Sequence, residues 1–250
     1  MKDMIFEVVS NSSIAKNTYE MKLECEKVCP RLKPGQFLNI KLDGFYLRRP
    51  ISICDWEDNS ITIVYKAVGA GTEAMASFER GKSLQILLPL GNGFNVYEAL
   101  SPNAKAPLIV GGGAGVAPVY SLCKELAMRG VMPVAVLGFN AGDEVFYEEN
   151  FKKVCSDVIV ATADGSLGVK GFVTDIIDSS RDTYFYACGP EPMLRAIDKK
   201  LEEGIDGEMS FEERMGCGFG ACMGCSCETK YGSKRICKDG PVLKRGEIIW

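Results

Sequence analysis

The chain has 250 residues, 46% hydrophobic and 25% charged, with a net charge of −4. That composition is ordinarily globular, allows one or two domains with a small appendage, and offers no basic run to meet nucleic-acid phosphates. Histidine is absent, which excludes His bases, Ser–His and Cys–His pairs, Cys2His2 zinc and Rieske-type ligation together.

The N-terminal MKDMIFEVVSNSS has no long apolar core, because Asp3 and Glu7 interrupt it, so no signal peptide is expected. No stretch approaches the roughly 18 apolar residues of a spanning helix. The expectation is a cytoplasmic protein without membrane contact. The eleven cysteines are an odd number, and without a secretory signal a cluster among them reads as metal or redox chemistry rather than as disulfides.

Along the chain, short strands come first: Ile5–Ser10, Tyr19–Cys25, Gln36–Leu42, Pro50–Cys54, Ile61–Ala67 and Leu84–Leu88. Their spacing predicts a small antiparallel barrel, interrupted by one helix over Thr72–Phe78. From Ala106 the rhythm becomes strand–helix alternation: PLIVGG, a helix over Val116–Arg129, VMPVAVLGF, SDVIVATAD, a short helix over Gly171–Asp178, TYFYACGP, and a closing helix over Glu191–Glu203. Such alternation builds a parallel sheet. The last forty or so residues are rich in Cys and Gly and too few to fold without a staple. The expected units are therefore a barrel domain over 1–100, an α/β domain over 101–207 and a small C-terminal domain over 208–250.

In that last unit GCGFGACMGCSCETKYGSKRICKDGP places Cys217, Cys222 and Cys225 as C-x4-C-x2-C, with Cys237 after eleven further residues. The opening is the plant-type [2Fe–2S] spacing. Thiolates must converge on two irons while the backbone wraps close enough to direct N–H groups at sulfur. Gly216, Gly218, Gly220 and Gly224 permit that approach. Cys227 is left over and is expected not to be a ligand. Zinc is the rival metal, although structural zinc usually joins two CxxC-like knuckles and one stands here; incidental core thiols are the bland alternative.

GGGAGVAP, Gly111 to Pro118, lies at a strand-to-helix junction, where backbone N–H groups and the helix dipole favour a pyrophosphate. It is not the G-x-G-x-x-G fingerprint. CGPEPML puts Cys188, Gly189 and Pro190 at the end of another strand before a helix. In an open α/β sheet both places lie where ligands bind.

Together these residues resemble the ferredoxin–NADP reductase superfamily, and the order of parts, with the cysteine cluster last, resembles the electron-transfer subunits of type B dihydroorotate dehydrogenases. The resemblance covers essentially the whole chain. It implies that LRRPISI is the flavin motif: Arg49 on the FAD pyrophosphate, Ser52 near the reactive edge of the ring, with Pro50 and Ile51 between them. Ile51 departs from the aromatic residue of the wider superfamily, so ring stacking is not implied there. In VYKAVGAGT the resemblance puts Val64, Tyr65 and Lys66 along the flavin and Gly71 and Thr72 at its phosphates. Gly111, Gly112, Gly113 and Gly115 would hold the nicotinamide dinucleotide, and Cys188, Gly189 and Pro190 would approach its ring. Asp164-Gly165-Ser166 also resembles a loop of the superfamily, without an assigned role. Asn140, Asp143 and Glu144, rather than a basic residue, follow the VAVLGF strand, which favours NAD over NADP.

A nicotinamide gives electrons in pairs and a cluster takes them singly, so the flavin, which does both, belongs between them. The implied partner is an FMN-bearing catalytic subunit that oxidises dihydroorotate in pyrimidine biosynthesis, in a heterotetramer of two of each chain; this chain alone would not oxidise dihydroorotate. Phe219, Met223 and Ile248-Ile249-Trp250 are candidate interface anchors or a small local core. The alternatives are a reductase subunit for another partner, such as a sulfide dehydrogenase, glutamate synthase or ferredoxin, and a zinc-stapled binding protein.

Overall fold

A computed structural model describes residues 1–26, 30–100, 105–178 and 183–250. Six strands, β1 (Lys2–Ala15), β2 (Thr18–Glu24), β3 (Phe37–Ile40), β4 (Arg49–Trp56), β5 (Ser60–Lys66) and β6 (Ser83–Leu90), close a barrel in the order β1-β2-β5-β4-β3-β6, all antiparallel. Period-two alternation explains it. In β5, Ile61, Ile63 and Tyr65 enter the barrel core with Phe6, Met21, Leu38 and Ile53. The short helix α1 (Ala70–Ala76) sits between β5 and β6, with Met75 sealing the barrel.

The second layer is a seven-stranded sheet. Its elements are β7 (Leu108–Gly112), α2 (Val116–Met128), β8 (Val134–Phe139), α3 (Glu148–Lys152), β9 (Asp157–Thr162), β10 (Val169–Lys170), α4 (Val173–Ile176), β11 (Phe185–Cys188), α5 (Glu191–Lys200) and β12 (Gly207–Ser210). A hairpin, β13 (Ser226–Thr229) with β14 (Gly232–Arg235), follows, and then β15 (Val242–Lys244). The sheet order is β10-β9-β8-β7-β11-β12-β15, parallel except for β15.

Successive residues of β7 feed opposite faces, as the near-continuous apolar run LIVGG requires of a strand covered on both sides. Ile109 packs with α2 and the outer barrel residues Cys54 and Val64, whereas Leu108 and Val110 pack with α4, α5 and the cysteine segment. No described helix is long and apolar enough to cross a membrane.

The barrel and the parallel sheet are as the sequence predicts, but details differ. β1 runs over fourteen residues, and its second half has no buried residue and carries register shifts against β2, so the alternation fades there. The helix expected over 171–178 contracts to α4, and the strand expected to end at Pro190 stops at Cys188, leaving Gly189 and Pro190 for the turn. The C-terminal residues are also not a free appendage. β15 pairs antiparallel with β12, and the side-chain amide of Asn92, just after β6, bonds the backbone of Val242 at 2.7 and 3.1 Å.

Candidate functional site

Three groups of residues converge where the barrel, the sheet and the cysteine segment meet. The first is the β4 motif. Arg48 and Arg49 are adjacent in sequence but differ in partner: Arg48 pairs with Asp3 at 3.1 Å, whereas Arg49 lies over the Phe45 ring at 4.8 Å and donates to the Leu47 carbonyl at 2.6 Å, with no carboxylate partner among the described residues. A Cβ on Gly71 would collide with the Arg49 guanidinium, so the glycine at the start of α1 is what lets that fork lie flat. Thr72 stands next to it, its Oγ1 receiving the N–H groups of Val68 and Gly69 at 3.1 and 3.3 Å. A planar fork without a carboxylate partner, beside a glycine at the start of a helix, fits a diphosphate.

Pro50, Ile51 and Ser52 are half-buried. On β5, Val64 packs outward against the α2 side, while Tyr65 turns inward, stacks on Tyr19 and donates to Asn11 Oδ1 at 2.9 Å. Only the Tyr65 backbone is therefore left for a ligand. Lys66 points out again, to Glu144 at 2.8 Å, and that hydrogen bond holds the Glu144 carboxyl below its usual range.

The second group is a crevice of about 650 Å³ at the carboxyl ends of β7, β8 and β11. It is lined by Gly112, Gly113 and Gly115 from the glycine loop, Gly189 and Pro190 before α5, and Lys66 from the barrel. Gly111 lies behind it, packed on Val116 and Val119. A side chain on Gly115 would run into the Cys188 carbonyl, and one on Gly112 or Gly189 into Met193. The two loops are thus pressed together by the absence of Cβ atoms. Cys188 itself is buried; burial, and then the charge of Glu212, push its thiol up to about 12.

Sequence reasoning missed Phe172–Thr174, Met193 and Glu212, which line this crevice beside Asn140. Desolvation raises the Glu212 carboxyl above its usual range. Gly171 before an aromatic was the available signal for the 172–174 wall. Glu212, between a strand and the cysteines, offered none. Asp164 accepts from the Ser166 backbone and hydroxyl at 2.9 and 2.6 Å and caps its own turn.

The third group is the cysteine loop. Cys217 Sγ accepts N–H groups from Ala221 at 3.2 Å and from Phe219 and Cys222 at 3.5 Å. Burial opposes ionisation there, but those N–H groups outweigh it and lower the thiol to about 6. Cys225 Sγ accepts the Cys237 N–H at 3.4 Å, and burial together with the Cys225 thiol pushes Cys237 up to about 12.

Backbone N–H to sulfur bonds join the four cysteines in two pairs, Cys222 to Cys217 at 3.5 Å and Cys237 to Cys225 at 3.4 Å. Among the described residues no group of three or more His, Cys, Asp or Glu is placed to hold a single metal ion. Two pairs under a wrapping of N–H groups suit a two-iron cluster better than one tetrahedral zinc. Arg235 braces the loop from behind, through Gly220 O at 2.9 Å and Asp239 at 2.9 Å. Cys227 lies on β13, outside both pairs and with its thiol raised by burial. Of the apolar residues nearby, Phe219, Met223 and Ile249 are exposed, whereas Ile248 is buried and Trp250 packs on Phe211.

A closed barrel with an unpaired arginine fork, a glycine-walled crevice on a parallel sheet and paired thiols in a glycine-rich loop define a flavin- and nicotinamide-dependent reductase with an iron–sulfur module. The comparisons agree. A model of the oxidoreductase NAD-binding domain matches residues 109–199, and one of the iron–sulfur cluster binding domain of dihydroorotate dehydrogenase B matches residues 212–249.

The electron transfer subunit of dihydroorotate dehydrogenase B (NAD(+)) from Bacillus mycoides (strain KBAB4) is 45% identical over 97% of this chain and 96% of its own length, and that from Bacillus cereus (strain G9842) is 44% identical over the same shares. The structure of an NADH-dependent reduced ferredoxin–NADP oxidoreductase, described for flavin-based electron bifurcation, superposes with a TM-score of 0.86 at 29% identity, covering 98% of this chain and 90% of its own. Phthalate dioxygenase reductase shares the fold, with a TM-score of 0.67 at 19% identity over 93% of this chain and 75% of its own. The chain belongs to the family of dihydroorotate dehydrogenase B electron transfer subunits.

Proposed function

We propose that the chain is the NAD-linked half of an oxidoreductase, relaying electrons between NAD in the crevice and the FMN of a dihydroorotate-oxidising partner through FAD and a [2Fe–2S] cluster. The observation that carries it is Lys66: a residue of the expected flavin strand lines the nicotinamide crevice, so the two cofactor sites are contiguous. The flavin supplies the conversion between paired and single electrons. The chain's own residues do the rest. Arg49 holds the diphosphate, with Gly71 and Thr72 beside it, and Ser52, Val64 and Lys66 border the ring.

Gly111, Gly112, Gly113 and Gly115 present backbone to the dinucleotide, and Cys188, Gly189 and Pro190 floor its nicotinamide end. Cys217, Cys222, Cys225 and Cys237 hold the irons. Asn140, Asp143 and Glu144 after β8 favour NAD over NADP. The working units are the barrel to about residue 100, the NAD domain over 101–207 and a cluster unit over 208–250 that β12 and β15 anchor in the NAD sheet, within a cytoplasmic heterotetramer. Reconstitution tests the reading: alone, the chain reduces dyes with NADH and leaves dihydroorotate untouched, and an FMN-type catalytic subunit couples dihydroorotate oxidation to NAD⁺ reduction. Absence of coupling sinks it. The likeness to the bifurcating oxidoreductase supports a second reading, a reductase subunit for a different partner, which survives that failure if NADH still reduces flavin and cluster.

A further inference from the structure

Asn39 belongs to none of the motifs above, yet it stands between two of them. Its strand β3 pairs with β4 so that Ile40 faces Arg49, Asn39 faces Pro50 and Leu38 faces Ile51. Leu38 and Ile40 fill the barrel, while Phe37 reaches the core shared with Cys225 and Cys237. Asn39, alternating with Leu38 and Ile40, lies on the outer side, and it is 1% exposed.

There its Nδ2 donates to the carbonyl of Cys217 at 3.3 Å, across 178 residues of sequence. The loop fits around it: Gly218 has φ +78°, and a Cβ on it would collide with the Asn39 amide nitrogen. From the other side Arg48, anchored on Asp3, donates to the Asn39 backbone carbonyl at 3.3 Å.

The second observation is an orphan. Asn39 Oδ1 is the buried side-chain oxygen or nitrogen without a hydrogen-bond partner among the described residues. Turning the amide over does not cure this, because Oδ1 would then oppose the Cys217 carbonyl, acceptor against acceptor. A leucine of nearly the same shape would fill the space without burying an unsatisfied acceptor. The position therefore keeps a polar side chain where an apolar one would pack, and its one side-chain bond ends on the first residue of the cysteine loop.

We infer that Asn39 is the positioning residue that registers the first cluster ligand against the flavin strands, and so governs the transfer between flavin and cluster; the inference rests on the function proposed above. Fixing the Cys217 carbonyl fixes the turn whose N–H groups from Phe219, Ala221 and Cys222 converge on its sulfur. Hydrogen bonds to cluster sulfurs tune its potential, and partners of ligands are worth roughly 10–100-fold in function.

The test uses the complete chain carrying its cofactors, with Asn39→Leu and Asn39→Asp (same shape, donor exchanged for acceptor). Three readouts are taken: flavin and iron content, the electron paramagnetic resonance signal of the reduced cluster, and stopped-flow reduction by NADH with the flavin and cluster steps resolved. Each variant is expected to keep wild-type flavin reduction, to show a shifted cluster signal and to slow cluster reduction by roughly ten-fold or more. A wild-type signal and cluster step in Asn39→Leu overturns the inference. Should Asn39→Leu fail to take up iron, unaltered behaviour of Asn39→Asp overturns it instead. A wild-type protein that binds neither flavin nor iron defeats the functional reading, and this inference with it.

Discussion

The glycine loop at 111–115 and the cysteine loop at 217–225 both present backbone where a cofactor is proposed to bind, and they lean on glycine differently. In the first, Gly112 and Gly115 are hemmed in by Met193 and by the Cys188 carbonyl; what matters is the missing side chain. In the second, Gly218 takes φ +78° and Gly220 φ +88°, and a Cβ on them would also meet Asn39 and Lys238; the backbone angle, which turns successive N–H groups toward Cys217 and Cys237, is added there to the cleared space. The proposed nicotinamide site is made by clearing space, and the proposed cluster site by aiming donors as well. The first tolerates changes that the packing can absorb, whereas the second depends on chemical identity at each thiol.

The strongest break in that comparison is therefore a sulfur. Serine at Cys217, Cys222, Cys225 or Cys237 is expected to abolish the visible cluster bands and the iron content, and serine at Cys227 to leave both; a bleached Cys227→Ser with an intact Cys237→Ser overturns the assignment. Next is Gly115→Ala. The clash is with backbone, so the fold gives by about 1–3 kcal/mol, and NADH binding, followed by flavin bleaching, is expected to weaken markedly with iron content unchanged. Gly113→Ala meets no neighbour but must hold φ +53°, a backbone strain of about 1–2 kcal/mol that puts nothing into the crevice wall, and weaker NADH binding at 113 than at 115 would refute the steric account.

Arg49→Ala removes a charge-assisted contact worth about 1.5–3 kcal/mol and should loosen FAD by roughly ten- to a hundred-fold, measured as flavin released on dilution. Arg48→Ala, losing a pair with Asp3 instead, should release little.

The mildest test is of the aimed donors themselves. The Cys217 thiol is lowered to about 6, with burial opposing and the N–H groups prevailing. It is thus thiolate above that pH, and alkylation of the metal-free chain at Cys217 should fall as pH drops through about 6. Cys237, pushed up to about 12, should stay unlabelled at neutral pH. Labelling of Cys217 that begins only near the ordinary thiol range, about 8.5, contradicts the donor fan.

The sequence carried the barrel, the parallel sheet and the metal chemistry because each has a periodic or spaced signature: alternation in β5, strand–helix rhythm after Ala106, and C-x4-C-x2-C. It concealed whatever depends on contacts between distant segments. The hairpin β13–β14 is written in the polar residues SCETKYGSKR, with no alternation to read. Glu212 is one acidic residue in FEER until the sheet places it on the crevice wall. Asn39 is one polar residue in an apolar strand, and its partner Cys217 is 178 residues away.

β12 and β15 are neighbours in one sheet and antiparallel, and Phe211 N–H extends their pairing onto Pro241 O at 2.9 Å. Everything from Phe211 to Pro241, cysteines included, is therefore the oversized loop of a hairpin whose two legs are already clamped. Closing such a loop grows more costly only slowly with its length, by about 0.6 kcal/mol per doubling. The metal consequently has to order a tethered loop and not recruit a loose tail, and a segment of this kind could be exchanged for another of different length without disturbing the sheet that holds its ends.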